Sequence, residues 1–210
     1  MKIADFRTDL KRGHEGEDYF LNIFNQFNNV EIIDVSDNPE YQECDIDFLL
    51  IKNGKKHCVE IKTDSYTSGN MFYEEMSCKE THSLGCFRKT CANILLYYFP
   101  KMGIVYAFYN MNKFKEWYEN TKDKYRHCNI ANKRNGGLYN AWGGLIPLVE
   151  FDKYNNTAKD EDKFVEKIYL KDGVKDALLR IVDLTNPYEV SECVKISNKV
   201  RIKPSFRNIR

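Results

Sequence analysis

Apolar residues recur along this chain at two different periods, and the period decides which element each segment forms. Phe20, Ile23, Phe24 and Phe27 fall three and four residues apart, which predicts an amphipathic helix over residues 14–28 with one face to bury. Residues 30–35 are rich in β-branched side chains and predict a strand, broken by the turn-forming run at 36–39. Two further β-rich runs flank Asn53-Gly54, the dipeptide that most strongly favours a two-residue hairpin turn, so a hairpin is expected over 45–63. With Lys52 opposite Lys55, Leu49 faces Cys58, Asp47 faces Glu60 and Asp45 faces Lys62, all toward one side. Ile46, Phe48, Leu50, His57, Val59 and Ile61 line the other side, a mostly apolar face suited to packing on a helix.

Further along, strands are predicted at 71–76, 94–99, 104–109 and 145–151, and helices at 87–92, 112–122 and 174–184. Residues 135–139 read as a loop and 152–162 as a polar break. This order predicts an α/β fold of the α+β type, a mixed central sheet flanked by helices, rather than a long doubly wound sheet. At 210 residues the chain fits one medium-sized domain, with a core over 1–150 and a C-terminal extension over 151–210 packed on the same domain. No internal repeat is visible.

Composition narrows the function classes. Charged residues make up 30% and hydrophobic residues 42%, the balance of a globular protein, and the formal net charge of +1 gives no general attraction to polyanions. Nucleic-acid contact must come from local patches. Lys195, Lys199, Arg201, Lys203, Arg207 and Arg210 stand against Glu192 alone in the last twenty residues, and Lys199, Arg201 and Lys203 are candidate phosphate contacts there. The seven cysteines are odd in number and scattered, and a charged segment follows Met1, so reduced thiols in a cytoplasm are expected. The most apolar stretch, at 94–99, is too short to span a membrane, so no membrane partner is expected. The abundance of Lys, Asn, Ile, Tyr and Phe is the coding bias of an AT-rich bacterial or viral genome.

Candidate chemistry concentrates on the polar side of the hairpin. Two carboxylates placed across an antiparallel pair repel each other unless something neutralises them, and a divalent cation would. Asp47 and Glu60 offer the hard oxygen ligands that Mg²⁺ or Mn²⁺ accepts, with coordination positions left for a phosphate oxygen and a water. Lys62, two residues on, is placed to orient that water, to assist its deprotonation if its own pKa is lowered, or to stabilise charge in a phosphorane-like transition state. Glu17 lies three residues before Phe20, beside the buried helix face and at the end where the dipole favours an anion.

Asp47, twelve intervening residues and then Glu60-Ile61-Lys62 resemble the motif of the PD-(D/E)XK nuclease superfamily. The resemblance runs from about Gly13 to Tyr98, with Ile46 standing where the family often has proline. It implies a restriction-endonuclease-like core, Asp47, Glu60 and the Ile61 carbonyl as metal ligands, and Gly16-Glu17 as the upstream helical acid acting directly or through water. It also implies a supporting role for Glu74, on a strand at 70–74 followed by Ser83-Leu84-Gly85, as in phage and bacterial members. The implied activity is a Mg²⁺- or Mn²⁺-dependent endonuclease acting on nucleic acid, foremost DNA, with room for a homodimer. Two other readings stand beside it: a nuclease-fold module that no longer cuts and binds nucleic acid or protein in phage–host conflict, and a purely structural hairpin. Asp45 is either a cross-strand ion-pair partner of Lys62 or a further ligand, depending on whether a bulge shifts the register. Cys78, His82, Cys86 and Cys91 invite a zinc reading but lack the paired short spacings of common zinc sites.

Overall fold

The structure, a computed structural model, describes residues 4–134, 137–171 and 173–187. In chain order the elements are β1 (Ala4–Asp5), α1 (Phe6–Phe24), β2 (Val30–Asp34), α2 (Pro39–Gln42), β3 (Phe48–Lys52), β4 (Lys55–Thr63), β5 (Asn70–Cys78), β6 (Ser83–Leu84), α3 (Cys86–Lys89), β7 (Ile94–Phe99), β8 (Ile104–Phe108), α4 (Met111–Thr121), β9 (Arg126–Arg134), β10 (Gly137–Pro147), α5 (Leu148–Thr157), β11 (Val165–Tyr169) and α6 (Val174–Leu184). The fold is mixed α/β. Lys199, Arg201 and Lys203 lie outside the described residues.

Asn53 and Gly54 adopt positive φ, 52° and 74°, closing the tight turn whose twist matches that of its strands. The register follows: Lys52 opposes Lys55, Leu49 opposes Cys58 and Phe48 opposes Val59, as the sequence predicts. This hairpin sits inside a six-stranded sheet of order β11-β8-β7-β4-β3-β2. Within it β4 runs parallel to β7 and the other neighbours are antiparallel. A second sheet of order β1-β9-β10-β5-β6 is antiparallel except where β1 joins β9.

Strands β7 and β8 are buried along their whole length because the central sheet is covered on both faces. Phe20, Phe24, Phe48, Leu50, Val59, Ile61, Ile94, Leu96, Val105 and Ala107 form one core under α1 and α6, the latter contributing Leu178, Ile181 and Val182. Leu95, Tyr97, Phe99, Tyr106 and Phe108 point the opposite way, into a core with Tyr73 and Ile146 of the second sheet and Phe114, Tyr118 and Phe151 of α4 and α5. Each such side chain, taken from water, contributes roughly 1.5–3 kcal/mol. The edge strand β11 pairs with β8, so residues 165–169 belong to the central sheet.

Four expectations need correction. Residues 145–151 are not one strand: β10 ends at Pro147 and α5 begins at Leu148. Leu148 and Phe151 fill the core at helical spacing, a pattern that so short an apolar run cannot distinguish from a strand. The polar break at 152–162 is largely the rest of α5, followed by a short 3₁₀ turn at Asp160–Asp162. The loop at 135–139 is narrower, since β10 starts at Gly137 and pairs back onto β9, with 135 and 136 outside the described residues. Ile46 also leaves the face assigned to it and joins Val35, Cys44, Leu49, Cys58 and Ala92 in a third cluster. No helix among the described residues is long and apolar enough to cross a membrane.

Phe114 is fully buried against the rings of Tyr73, Phe87, Phe108, Phe151 and Phe164. Phe114→Ala is expected to cost about 3–5 kcal/mol in urea denaturation, while Leu138→Ala, at a position 65% exposed, should stay within about 0.5 kcal/mol.

Candidate functional site

The polar end of the hairpin forms where α1 crosses β4. Gly16 allows that crossing: a Cβ there would stand 2.0 Å from Thr63 Oγ1, so a larger residue must displace the Thr63 side chain or the helix. The next residue, Glu17, is thereby brought within electrostatic range of Asp47. His14, one helical turn earlier, places Nδ1 3.2 Å from Glu17 Oε2. That contact was missed in the sequence, although the three-residue spacing on one helix face permits it.

Asp47 lies just before β3 and closes the ladder by donating its backbone N–H to the Val59 carbonyl at 2.8 Å. Its Oδ2 accepts the Ile61 amide at 2.7 Å, which holds the carboxyl over the Glu60-Ile61 step of β4. Glu60 is 3% exposed, and its Oε1 pairs with Lys62 Nζ at 2.7 Å. The structure therefore brings Asp47, Glu60 and Lys62 together, with Glu17 in electrostatic range of Asp47 and in contact with His14.

Asp45 is not opposite Lys62. It takes a left-handed backbone, φ 48°, as the turn after α2 enters the strand, and this removes it from the extended register. Its Oδ1 pairs with Lys89 Nζ at 2.9 Å, while its Oδ2 is buried with no hydrogen-bond partner among the described residues. Glu74 on β5 accepts the Cys86 amide at 3.1 Å and, like Asp45, feels the charge of Lys62. Lys89 and the Cys86 amide carry no signal in the sequence, because only the tertiary fold sets them beside the hairpin. The zinc reading fares differently at each residue. Cys86 and Cys91 belong to separate apolar clusters, Cys78 Sγ meets Glu80, and His82 is exposed in a turn.

Electrostatics follow from burial. Burial pushes the Asp47 carboxyl up to about 9, the neighbouring Glu60 adds to the rise, and the Ile61 amide opposes it. Burial raises Glu60 as well, against the pull of Lys62. The two carboxyls therefore retain a proton at neutral pH. For Lys62, burial acts to lower the pKa, but the adjacent Glu60 and the other acids outweigh it and hold the ammonium well above its ordinary value. This charge state favours orienting and charge-stabilising roles for Lys62 over that of a base. Among the described residues, no three His, Cys, Asp or Glu side chains are grouped to hold a metal ion.

Two measurements check this geometry. An acid whose folded pKa is raised stabilises the fold in full below the ordinary carboxylate range, near 3.8 for Asp47, and that contribution is lost as pH rises toward about 9. The Tm of metal-free protein should fall between those limits, and Asp47→Asn should flatten the slope. Gly16→Ala should cost about 1–3 kcal/mol by forcing α1 off Thr63, read as a lower urea midpoint.

The chain matches no protein-family model, no curated protein and no solved structure.

Proposed function

We propose that the chain is a metal-dependent phosphodiester-cleaving nuclease of PD-(D/E)XK type, a DNA endonuclease in first place, built on Asp47, Glu60, Lys62 and Glu17. One observation carries this reading: at the rim of the sheet the Asp47 carboxyl, held by the Ile61 amide at 2.7 Å, stands at the buried Glu60-Ile61 step, where Glu60 Oε1 lies 2.7 Å from the Lys62 ammonium. Acids kept so close are costly without a positive partner, and their hard oxygens suit Mg²⁺ or Mn²⁺. Asp47, Glu60 and the Ile61 carbonyl would hold the ion, with Glu17 directly or through water. Such a cation supplies Lewis acidity and a water of lowered pKa.

The side chains then have separate tasks. Asp47 and Glu60 would have to lose the proton that burial retains in order to hold the ion, so affinity for the cation would rise with pH. Lys62 keeps its proton, orients the attacking water and stabilises the charge that builds on the phosphate oxygens. Asp45 stands behind it as further negative charge that keeps the ammonium protonated, and Glu74 feels that ammonium in turn. Hydrolysis adds the water oxygen to phosphorus, passes one proton of that water to solvent, and breaks the bond to the leaving sugar oxygen, which takes a proton from solvent. A restriction-endonuclease-like core agrees with a central sheet whose β4 lies between its antiparallel hairpin partner and parallel β7.

The Lys62–Glu60 ion pair also favours a second reading, a module that binds without cutting, because the ammonium already neutralises the acid that a cation would need. Plasmid, linear duplex, single-stranded DNA and RNA, each incubated with Mg²⁺, Mn²⁺ or EDTA, separate the two. Expected is cation-dependent cutting that Glu60→Ala removes and Lys62→Ala lowers by about 10²–10³-fold. Lys62→Ala should still gain thermal stability from added cation. No cutting of any substrate would leave the binding module.

A further inference from the structure

Between the start of α4 and the residues that follow α6 lies a cavity of about 170 Å³, well above the roughly 30 Å³ that one water occupies in the liquid. Its wall comes from residues 90–93, 109–112 and 185–187 together with Lys115. Among the described residues that line it there is no Asp or Glu, and Lys115 is the one cation. A lysine ammonium has three hydrogens to donate. One goes to the Thr90 carbonyl at 3.1 Å, and among the described residues Lys115 has no second acceptor and no ion-pair partner. Burial acts to lower its pKa, against Cys91, Cys86 and Asp45, and the net shift is downward. Asp45 itself is paired with Lys89 at 2.9 Å. A cation so enclosed is costly until an anion joins it.

The rest of the wall is already fixed in place. Asn93 Oδ1 accepts the Cys58 amide at 2.8 Å, and its Nδ2 donates to the Asn186 carbonyl at 2.7 Å, which ties β4 to the residues after α6. Thr185 donates its hydroxyl to the Ile181 carbonyl at 2.7 Å. Asn110 caps α4 by accepting the Lys113 amide at 3.1 Å. Met111 and Asn112, the first two residues of that helix, carry amides that have no acceptor within it. Thr90 separates the cavity from the hairpin cluster, with its carbonyl on Lys115 and its hydroxyl donating to the Asp45 carbonyl at 3.0 Å.

We infer that this cavity is a binding site for a phosphate-class oxyanion, with the Lys115 ammonium as its counter-charge. The inference does not depend on the nuclease reading. An oxyanion accepts the two ammonium hydrogens that the Thr90 carbonyl leaves over, and the first-turn amides of α4 are donors in the same wall. Asn112 and Asn186 are exposed, so the cavity opens to solvent on their side and admits either a free ion or the phosphate end of a larger molecule.

The test is isothermal titration calorimetry of the full chain with inorganic phosphate and with adenosine monophosphate, at constant ionic strength set by chloride, for wild type, Lys115→Met and Asn112→Asp. Wild type should bind phosphate saturably. Lys115→Met should weaken binding by about tenfold or more, the loss of a charged hydrogen bond. Asn112→Asp separates ligand binding from folding: the position is exposed and an acid in the first turn suits the helix dipole, so the melting temperature should hold or rise while phosphate binding falls by about tenfold. A measurement on wild type alone covers the case in which Lys115→Met does not fold. Phosphate should protect the Lys115 amine from acetic anhydride, read by peptide mass spectrometry. Equal affinity for the two ligands supports the free ion as occupant, and tighter adenosine monophosphate supports the phosphate end of a larger molecule. No saturable phosphate binding by wild type, equal binding by all three proteins, or unprotected acetylation of Lys115 would overturn the inference.

Discussion

A carboxylate buried in a sheet that is covered on both faces is the constraint to which the rest of this structure answers. Glu60 sits in such a place, and stripping its charge of water without compensation would cost several kcal/mol. Lys62 answers part of that cost from the same strand two residues on, where strand geometry returns the side chain to the same face. Asp47 answers another part by keeping a proton and by accepting the Ile61 amide. Because a buried ion pair seldom stabilises more than apolar residues of the same shape, the Lys62–Glu60 pair offsets the burial of its own charges and adds little beyond that.

The surrounding architecture lets the charged cluster exist without loosening the core. Val59 and Ile61 alternate with Glu60 and Lys62, so β4 packs Phe20 and Phe24 of α1 on one side while the other side stays polar at that end of the strand. Further along the same polar side, Leu49 and Cys58 are closed off by Cys44, Ile46 and Ala92. Both sides of the hairpin are therefore packed, and Asp47, Glu60 and Lys62 occupy the rim where this small cluster stops.

Much of this was legible in the residues. Asn53-Gly54 demands a mirror-image turn and the turn sets the register as far as Phe48 opposite Val59; Asp47 lies just before that ladder and reaches the Glu60-Ile61 step through the Ile61 amide. The three-and-four spacing of Phe20, Ile23 and Phe24 marked the helix that carries Glu17, although α1 runs over Phe6–Phe24 rather than 14–28 and Phe27 packs on the core from beyond its end. Asp45 escaped because a left-handed residue is a local backbone choice that alternation does not encode, and His14 because its partner is itself a site residue. The strands β9 and β11 escaped for the opposite reason. Their polar, asparagine-rich or charged sequences have weak β propensity, and their neighbours in the sheets hold them extended.

The parallel pairing of β4 with β7 has a consequence for how the molecule forms. Residues 64–93 lie between the two strands, and they include β5 and α3, which bring Glu74 and the Cys86 amide to the cluster. The hairpin can zip locally within microseconds, but this pairing must first close a long loop, so the rim acquires its full set of neighbours only late in folding. An intermediate with the hairpin made and β7 undocked would expose Asp47 and Glu60 to water, where each ionises at its ordinary pKa. Proton uptake by the protein is then a timed event, and a pH indicator in a stopped-flow refolding experiment would register the docking of β7 as a phase distinct from collapse.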